Sequence, residues 1–127
     1  MKPRVGSVLE TSLYVETPER SARWYETIFG FEVVARSDRL WALGVAGRQL
    51  LLLFKKGAST DHDGSGELHL AFSIAASDLD SWEQWLAENG VAVESRKTWE
   101  YGGCSLYFRD PDRHLLELAT PGVWSIY

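Results

Sequence analysis

The sequence predicts an α+β fold built from two βαβββ modules whose strands form a cupped mixed sheet. Three observations predict it. A strand, a helix and three strands follow one another twice along the chain, as read from the switch between period-2 and period-3.6 hydrophobicity. Each helix runs into a glycine, Gly30 and Gly90, the residue best suited to a left-handed C-terminal cap. A polar, glycine-rich stretch without periodicity, residues 56–66, divides the two copies and reads as a linker.

In the first module, about residues 7–55, Val8 to Val15 is expected as a strand, with Leu13 and Val15 alternating against Ser12 and Tyr14. Thr17 is placed to cap the following helix, and Pro18 suits its first turn, where a backbone N–H has no partner to lose. Ala22, Tyr25, Ile28 and Phe29 share one face of that helix. Strands follow at Phe31–Arg36, Leu40–Val45 and Gln49–Phe54, separated by turn residues. In the second module, about residues 67–121, Leu68 to Ala75 is a strand, and Ser77 or Asp78 caps a helix with Leu79, Trp82, Trp85 and Leu86 facing inward. Its remaining strands are Val91–Glu94, Ser105–Phe108 and Leu115–Leu118, with a tail at 122–127. The two modules make one domain of 127 residues, a length that suits a single core.

A βαβββ unit covers one face of its sheet with the helix and leaves the other for the cup. Strand alternation assigns the residues to these faces. Glu10, Ser12, Tyr14 and Glu16 oppose the more apolar set of the first strand. His69, Ala71 and Ser73 oppose Leu68, Leu70 and Phe72; Glu117 lies between Leu116 and Leu118. Glu10 and His69 are equivalent first-strand positions of the repeat, and Leu52 and Glu117 are equivalent last-strand positions. Glu10, His69 and Glu117 are therefore expected to face the cup. Glu117 stands out, because a carboxylate inside an apolar strand is costly unless a metal, a substrate or a basic group meets it.

Composition narrows the function classes. A net charge of −5 gives no electrostatic footprint for nucleic acid. No segment approaches the roughly 20 apolar residues that span a bilayer, and residues 1–10 lack the apolar region of a secretory signal, so the expected location is cytoplasmic. Cys104, the only cysteine, rules out an internal disulfide and a thiolate metal cluster. Six Trp, five Tyr and five Phe suit a dense core or an aromatic pocket.

The stretches Leu13–Glu32, His69–Phe72 and Leu106–Ala119 together resemble the vicinal oxygen chelate superfamily, which contains glyoxalase I, the extradiol dioxygenases, fosfomycin resistance enzymes, methylmalonyl-CoA epimerase and the bleomycin resistance proteins. The resemblance covers nearly the whole chain and implies the glyoxalase-like fold. It also implies a divalent metal, Fe, Mn, Ni or Zn, held by first-strand and last-strand residues of the modules. His69 and Glu117 match two ligand positions; Glu10 stands where His is usual, and Leu52 where glyoxalase I has a fourth ligand. Glyoxalase I activity is disfavoured by Leu52 and extradiol oxygenation by Glu10. Arg113 occupies a turn position commonly filled by Gly; if that position needs a positive φ, Arg there costs on the order of 1 kcal/mol.

The expected function is a metal-dependent small-molecule enzyme of the glyoxalase or dioxygenase type. In it, Glu10, His69 and Glu117 bind the ion, the substrate chelates through neighbouring oxygens, and Tyr14, lining the cup beside Glu10, orients it; Glu117 and Tyr14 are the expected catalytic groups. Leu52, Trp41, Trp99, Tyr101 and Trp124 are expected around the substrate, the loop and tail closing over it. The alternative is a metal-free drug-binding protein of the bleomycin-resistance type, using an acidic, Trp-lined groove. A metal-free acid–base site of two carboxylates and His69 lies between these readings. A homodimer is expected, with cups formed within one chain or across the dimer. His62, in the linker, and His114, whose parity is opposite to that of Glu117, are weaker candidates, and Cys104 reads as a small buried residue.

Overall fold

The computed structural model describes residues 1–58 and 63–127. The candidate His62 lies outside the described residues. The chain divides into two compact units, Met1–Gly66 and Glu67–Tyr127. Each is a four-stranded mixed sheet with one helix, the α+β architecture expected. Among the described residues no helix is long and apolar enough to cross a membrane.

The first unit runs β1 (Glu10–Val15), α1 (Pro18–Phe29), β2 (Glu32–Arg36), β3 (Leu40–Val45) and β4 (Gln49–Lys55). Its strand order is β1-β4-β3-β2, with β1 parallel to β4 and the other pairs antiparallel. Pro18 opens α1 as expected, but Thr17 makes no side-chain capping bond; its backbone is extended and its carbonyl accepts from the Ser21 N–H. Gly30 closes the helix at φ 72°, donating its N–H to the Glu26 carbonyl. Leu13, Val15, Leu43, Leu51, Leu53 and Tyr25 are buried to 1% exposure or less, and Tyr25 stacks on Phe29 and Phe31 at centroid distances of 5.8 and 6.4 Å. At roughly 25 cal/mol per Å² of apolar surface, each such side chain contributes about 1.5–3 kcal/mol. The opposite face is also apolar: Ala42, Leu52 and Phe54 form a cluster flanked by Tyr14, Leu40 and Leu50.

The second unit runs β5 (His69–Ser73), a 3-10 turn at Ala76–Asp78, α2 (Leu79–Glu88), β6 (Ser95–Thr98), β7 (Cys104–Arg109) and β8 (Leu115–Ala119). Its order, β5-β8-β7-β6, repeats that of the first unit, again with the two outermost strands of the motif's start and end paired in parallel. Three local expectations fail, the first being the cap: Asp78 stands at the N-terminus of α2 but makes no side-chain capping bond. The strand expected at Val91–Glu94 forms instead at Ser95–Thr98, where Lys97 pairs with Ser105 and Thr98 with Cys104. The valine-rich stretch before it lies against the end of α2, where Val91 donates its N–H to the Leu86 carbonyl. Of the expected inward face of α2, Leu79 and Leu86 are buried, while Trp85 is 40% exposed. A ten-residue helix presents a narrow stripe, and i/i+7 spacing places only these two leucines on its centre.

The β7–β8 hairpin turns through Asp110-Pro111-Asp112-Arg113. Asp110 Oδ1 accepts the N–H groups of Asp112 and His114, each at 2.9 Å, which folds the carboxylate inside the turn. Arg113 sits at φ 72°, so this turn does require the left-handed region. Arg109 ties the turn down, donating to the Arg113 carbonyl at 2.9 Å while pairing with Glu67 and Glu94. At the far end of β7, Gly103 lies on the backbone of Gly122; a Cβ there would stand 2.3 Å from the Gly122 carbonyl carbon.

Two stability changes follow. Replacing Arg113→Gly is expected to raise the urea midpoint, by roughly 1 kcal/mol, because it removes the left-handed penalty and sacrifices only an exposed 3.8 Å contact with Glu94. Gly103→Ala is expected to lower stability by about 2 kcal/mol or more, since backbone rather than a flexible side chain must give way; unchanged denaturation would contradict the close approach.

Candidate functional site

The exposed-side face of the second sheet is built by register. Tyr107 pairs with Glu117 across the β7–β8 hairpin, and Ala71 pairs with Glu117 on the parallel side. Ser105, Tyr107 and Arg109 on β7 share the face of Leu115, Glu117 and Ala119 on β8, and His69 on β5 sits opposite Leu115. The intervening residues Leu106, Phe108, Leu116 and Leu118 are fully buried on the other face. Alternation therefore forces Glu117 onto the face of His69.

Glu117 is 6% exposed and polar side chains meet its carboxylate. His69 Nε2 lies 3.1 Å from Oε1. The Ser105 hydroxyl donates to Oε2 at 2.5 Å, and the Trp99 indole N–H donates to Ser105 Oγ at 2.9 Å. Arginine is not the partner: Arg109 is engaged with Glu67 and Glu94. The imidazole orientation is fixed from its other side. His69 Nδ1 is 2.9 Å from the Leu115 carbonyl, so both ring nitrogens face acceptors and a neutral ring donates to only one of them; the carbonyl is the partner when the proton is on Nδ1. Nε2 then presents a lone pair toward a carboxylate oxygen. Such a pair is stable when a cation, either a proton or a metal, is shared between them.

His69 is placed by a second histidine. His114 is fully buried on the opposite face and its Nδ1 accepts the Leu68 N–H at 3.0 Å. The Leu115 N–H in turn donates to the Leu68 carbonyl at 2.8 Å. These bonds pin the start of β5 beside β8. His114 is thus a structural residue, as its parity implies.

Tyr107 was not singled out by sequence reasoning, nor was Ser105. Burial raises the Tyr107 phenol above its ordinary value first, and the Glu117 charge adds to this; hydrogen bonding from Ser105 pulls it back, while hydrogen bonding to Glu117 raises it further. The phenol remains a donor at neutral pH. Its ring lies 6.1 Å from that of His69. A signal for it existed, because Arg109 and Leu115 flank the turn and counting inward from them pairs Tyr107 with Glu117.

The other expected residues are distributed differently. Glu10 opens β1 and is exposed, on the same face as Leu50 and Leu52. Tyr14 stacks on Phe54 at 5.7 Å, and Gly64 packs against its ring, where a Cβ would come within 2.6 Å. Leu52 belongs to the apolar cluster of that face. Trp41 does not share it. It pairs with Leu53, on the helix-covered side, where Arg23 and Arg36 lie 5.2 and 5.4 Å from its ring. It lines a separate groove with Thr17, Pro18 and Lys55. Trp99 is half-buried in the network of Glu117. Tyr101 and Trp124 are 58% and 70% exposed in the loop and the tail. Cys104 is partly buried, its Sγ 3.8 Å from Thr98 Oγ1.

The donor set fits a divalent ion. Two ligands at right angles, each about 2.1 Å from an ion, stand about 3 Å apart; Nε2 of His69 and Oε1 of Glu117 are 3.1 Å apart. The His69 Nδ1 contact with a carbonyl and the Ser105 bond to Oε2 are the outer contacts that metal-binding His and carboxylate groups require. Among the described residues, no three His, Cys, Asp or Glu side chains gather as a complete ligand set.

The fold agrees with the relatives. The chain belongs to the Glyoxalase/Bleomycin resistance protein/Dioxygenase superfamily, whose family model matches residues 7–118. It is similar to proteins named metallothiol transferase FosB. The one from Staphylococcus saprophyticus is 28% identical over 117 residues, covering 91% of this chain and 78% of that protein. The one from Bacillus licheniformis is 32% identical over 105 residues, covering 82% and 68%. A crystal structure of lactoylglutathione lyase from Agrobacterium tumefaciens superposes with a TM-score of 0.88 at 25% identity, covering 96% of this chain and 98% of that one.

Tyr107 makes stability depend on alkaline pH. Its folded value is raised, so its contribution is complete below about pH 10, where the unfolded chain's phenol begins to ionise, and is lost as pH rises further, because the unfolded state releases the proton first. Tyr107→Phe is expected to flatten the alkaline fall in stability. In Glu117→Gln the phenolate absorbance of Tyr107 should appear at lower pH than in the wild type.

Proposed function

We propose that the chain is a metal-dependent enzyme acting on a small oxygen-bearing molecule. The observation that carries this reading is the pair His69 Nε2 and Glu117 Oε1, 3.1 Å apart, with the imidazole held from its other side by the Leu115 carbonyl at Nδ1. Glu10, the first-strand equivalent of His69 in the repeat, is the further ligand candidate that the sequence offers. A divalent ion held by these residues would polarise substrate oxygens and stabilise negative charge on them. Relatives named as metallothiol transferases favour transfer of a thiol to the small acceptor over oxygenation within this class.

The chain's own contribution is orientation and proton placement. Ser105 holds Oε2, so Glu117 offers Oε1. Tyr107, protonated at neutral pH, offers a hydrogen-bond donor on the same face, 6.1 Å between ring centres from His69. It takes over the substrate-orienting role expected of Tyr14, which is occupied by Phe54 and Gly64. The reading includes a cytoplasmic homodimer, which light scattering on the purified protein measures. The metal-free drug-binding alternative rests on net charge and tryptophan content; with Trp41 turned to the helix side, no observation favours it.

Protein purified without chelator and reconstituted in turn with Fe(II), Mn(II), Ni(II) and Zn(II) is expected to hold about one ion per chain. His69→Ala and Glu117→Ala should abolish binding, and Glu10→Ala should weaken it. Wild-type protein that takes up none of the four ions would refute the reading.

A further inference from the structure

The network around Glu117 extends beyond any group that could touch a ligand of the site. Its outermost member is Trp99. The indole has one polar atom, an N–H that can only donate, and it is spent on Ser105 Oγ at 2.9 Å. Ser105 takes that bond on an oxygen lone pair and donates its hydroxyl proton to Glu117 Oε2 at 2.5 Å, with the Tyr107 phenol also within reach of both groups. Ser105 is fully buried and Glu117 nearly so, which shields the Ser105–Glu117 bond from bulk water, while the bond from the half-buried Trp99 is only partly shielded.

Trp99 is itself held at three points. Its backbone N–H donates to the Gly103 carbonyl at 2.8 Å, and its carbonyl accepts the Gly102 N–H at 3.0 Å, closing a turn with Gly102 at φ 88°. Gly103 donates its N–H to the Gly122 carbonyl at 3.1 Å, on the backbone contact that excludes a side chain. Lys97 Nζ covers the ring, 3.7 Å from its centroid. A residue locked in backbone, ring and N–H, with its only polar atom two bonds from a carboxylate, is built to hold direction.

We propose that Trp99 is a positioning residue for Glu117. Through Ser105 it fixes the rotation of the carboxylate so that Oε2 is closed and Oε1 alone faces His69. This inference rests on the reading above that His69 and Glu117 bind a divalent ion. Loss of either outer group frees the carboxylate to rotate and lowers affinity for the ion; the effect of Trp99 is carried entirely by Ser105, so the two losses do not add.

The test is Co(II) titration, followed by its visible absorption, of wild type, Trp99→Phe, Ser105→Ala, the double variant, and Trp85→Phe as the exposed-tryptophan control. Affinity is expected to fall about tenfold in Ser105→Ala, to fall by less in Trp99→Phe, to be no worse in the double variant than in Ser105→Ala, and to stay unchanged in Trp85→Phe. Wild-type affinity in Trp99→Phe, or additive losses in the double variant, overturns the positioning role and leaves the metal reading standing. Absence of Co(II) binding in wild type overturns the metal reading instead. The hydrogen-bond relay is then judged without metal, from the Trp99 indole N–H resonance: displacement in both Ser105→Ala and Glu117→Gln supports it, and a resonance that stays in place in either overturns it. Folding of each variant is checked by the amide spectrum recorded in the same experiment.

Discussion

A carboxylate inside an apolar sheet has to be met by donors, and the way Glu117 is met organises the second half of the chain. Its two oxygens are given different partners, a hydroxyl on one and an imidazole on the other. Unpaired, a buried carboxylate would cost several kcal/mol against a folded state that is itself stable by only about 5–15. The strands on either side therefore carry their polar residues in one register, and that register is enforced by the leucines and phenylalanine on the opposite face. A slip of one residue would exchange the two sets and leave Glu117 among Leu106, Phe108 and the helix.

The ends of the strands are secured by groups with no part in the chemistry. Asp110 folds into its own turn, Arg109 clamps the turn from outside, and His114 receives a backbone N–H from the neighbouring strand. Arg113 adopts a left-handed conformation that its side chain disfavours, a local strain the surrounding hydrogen bonds over-determine. The effect is to deliver His69 and Glu117 at a fixed separation from two strands that are far apart in sequence. That His69 has its Nδ1 against a backbone carbonyl belongs to the same pattern: the ring orientation is held from the side away from Glu117.

Much of the fold was legible because alternation and helical periodicity are strong in this chain. Leu13 and Val15, or Leu116 and Leu118, announce which face is core, and Gly30 announces a helix end. The face shared by His69 and Glu117 followed from parity alone. Parity failed where strands were not recognised in place: the valines at 91 and 93 attract a strand assignment by composition, while the chain pairs the charged stretch Ser95–Thr98 because the hairpin geometry of β7 demands it. Trp41 was misjudged for a related reason. A large aromatic on a strand reads as pocket lining, yet its neighbour Ala42 holds the parity of Leu52. Trp99 and Ser105 were beyond single-residue reasoning, since a loop indole meeting a strand hydroxyl depends on the turn at Gly102-Gly103, and no periodicity describes that turn.

The two units share one strand order and one register, but only one carries the polar network. Matching the pairs Leu52–Ala42 and Glu117–Tyr107, and Phe54–Leu40 and Ala119–Ser105, shows aliphatic side chains in the first unit wherever the second has a hydroxyl, a phenol or a carboxylate. The sheet forms equally well with either set. An architecture copied within one chain thus separates the backbone, common to both copies, from the polar network, which a few side chains on one face of the second copy supply.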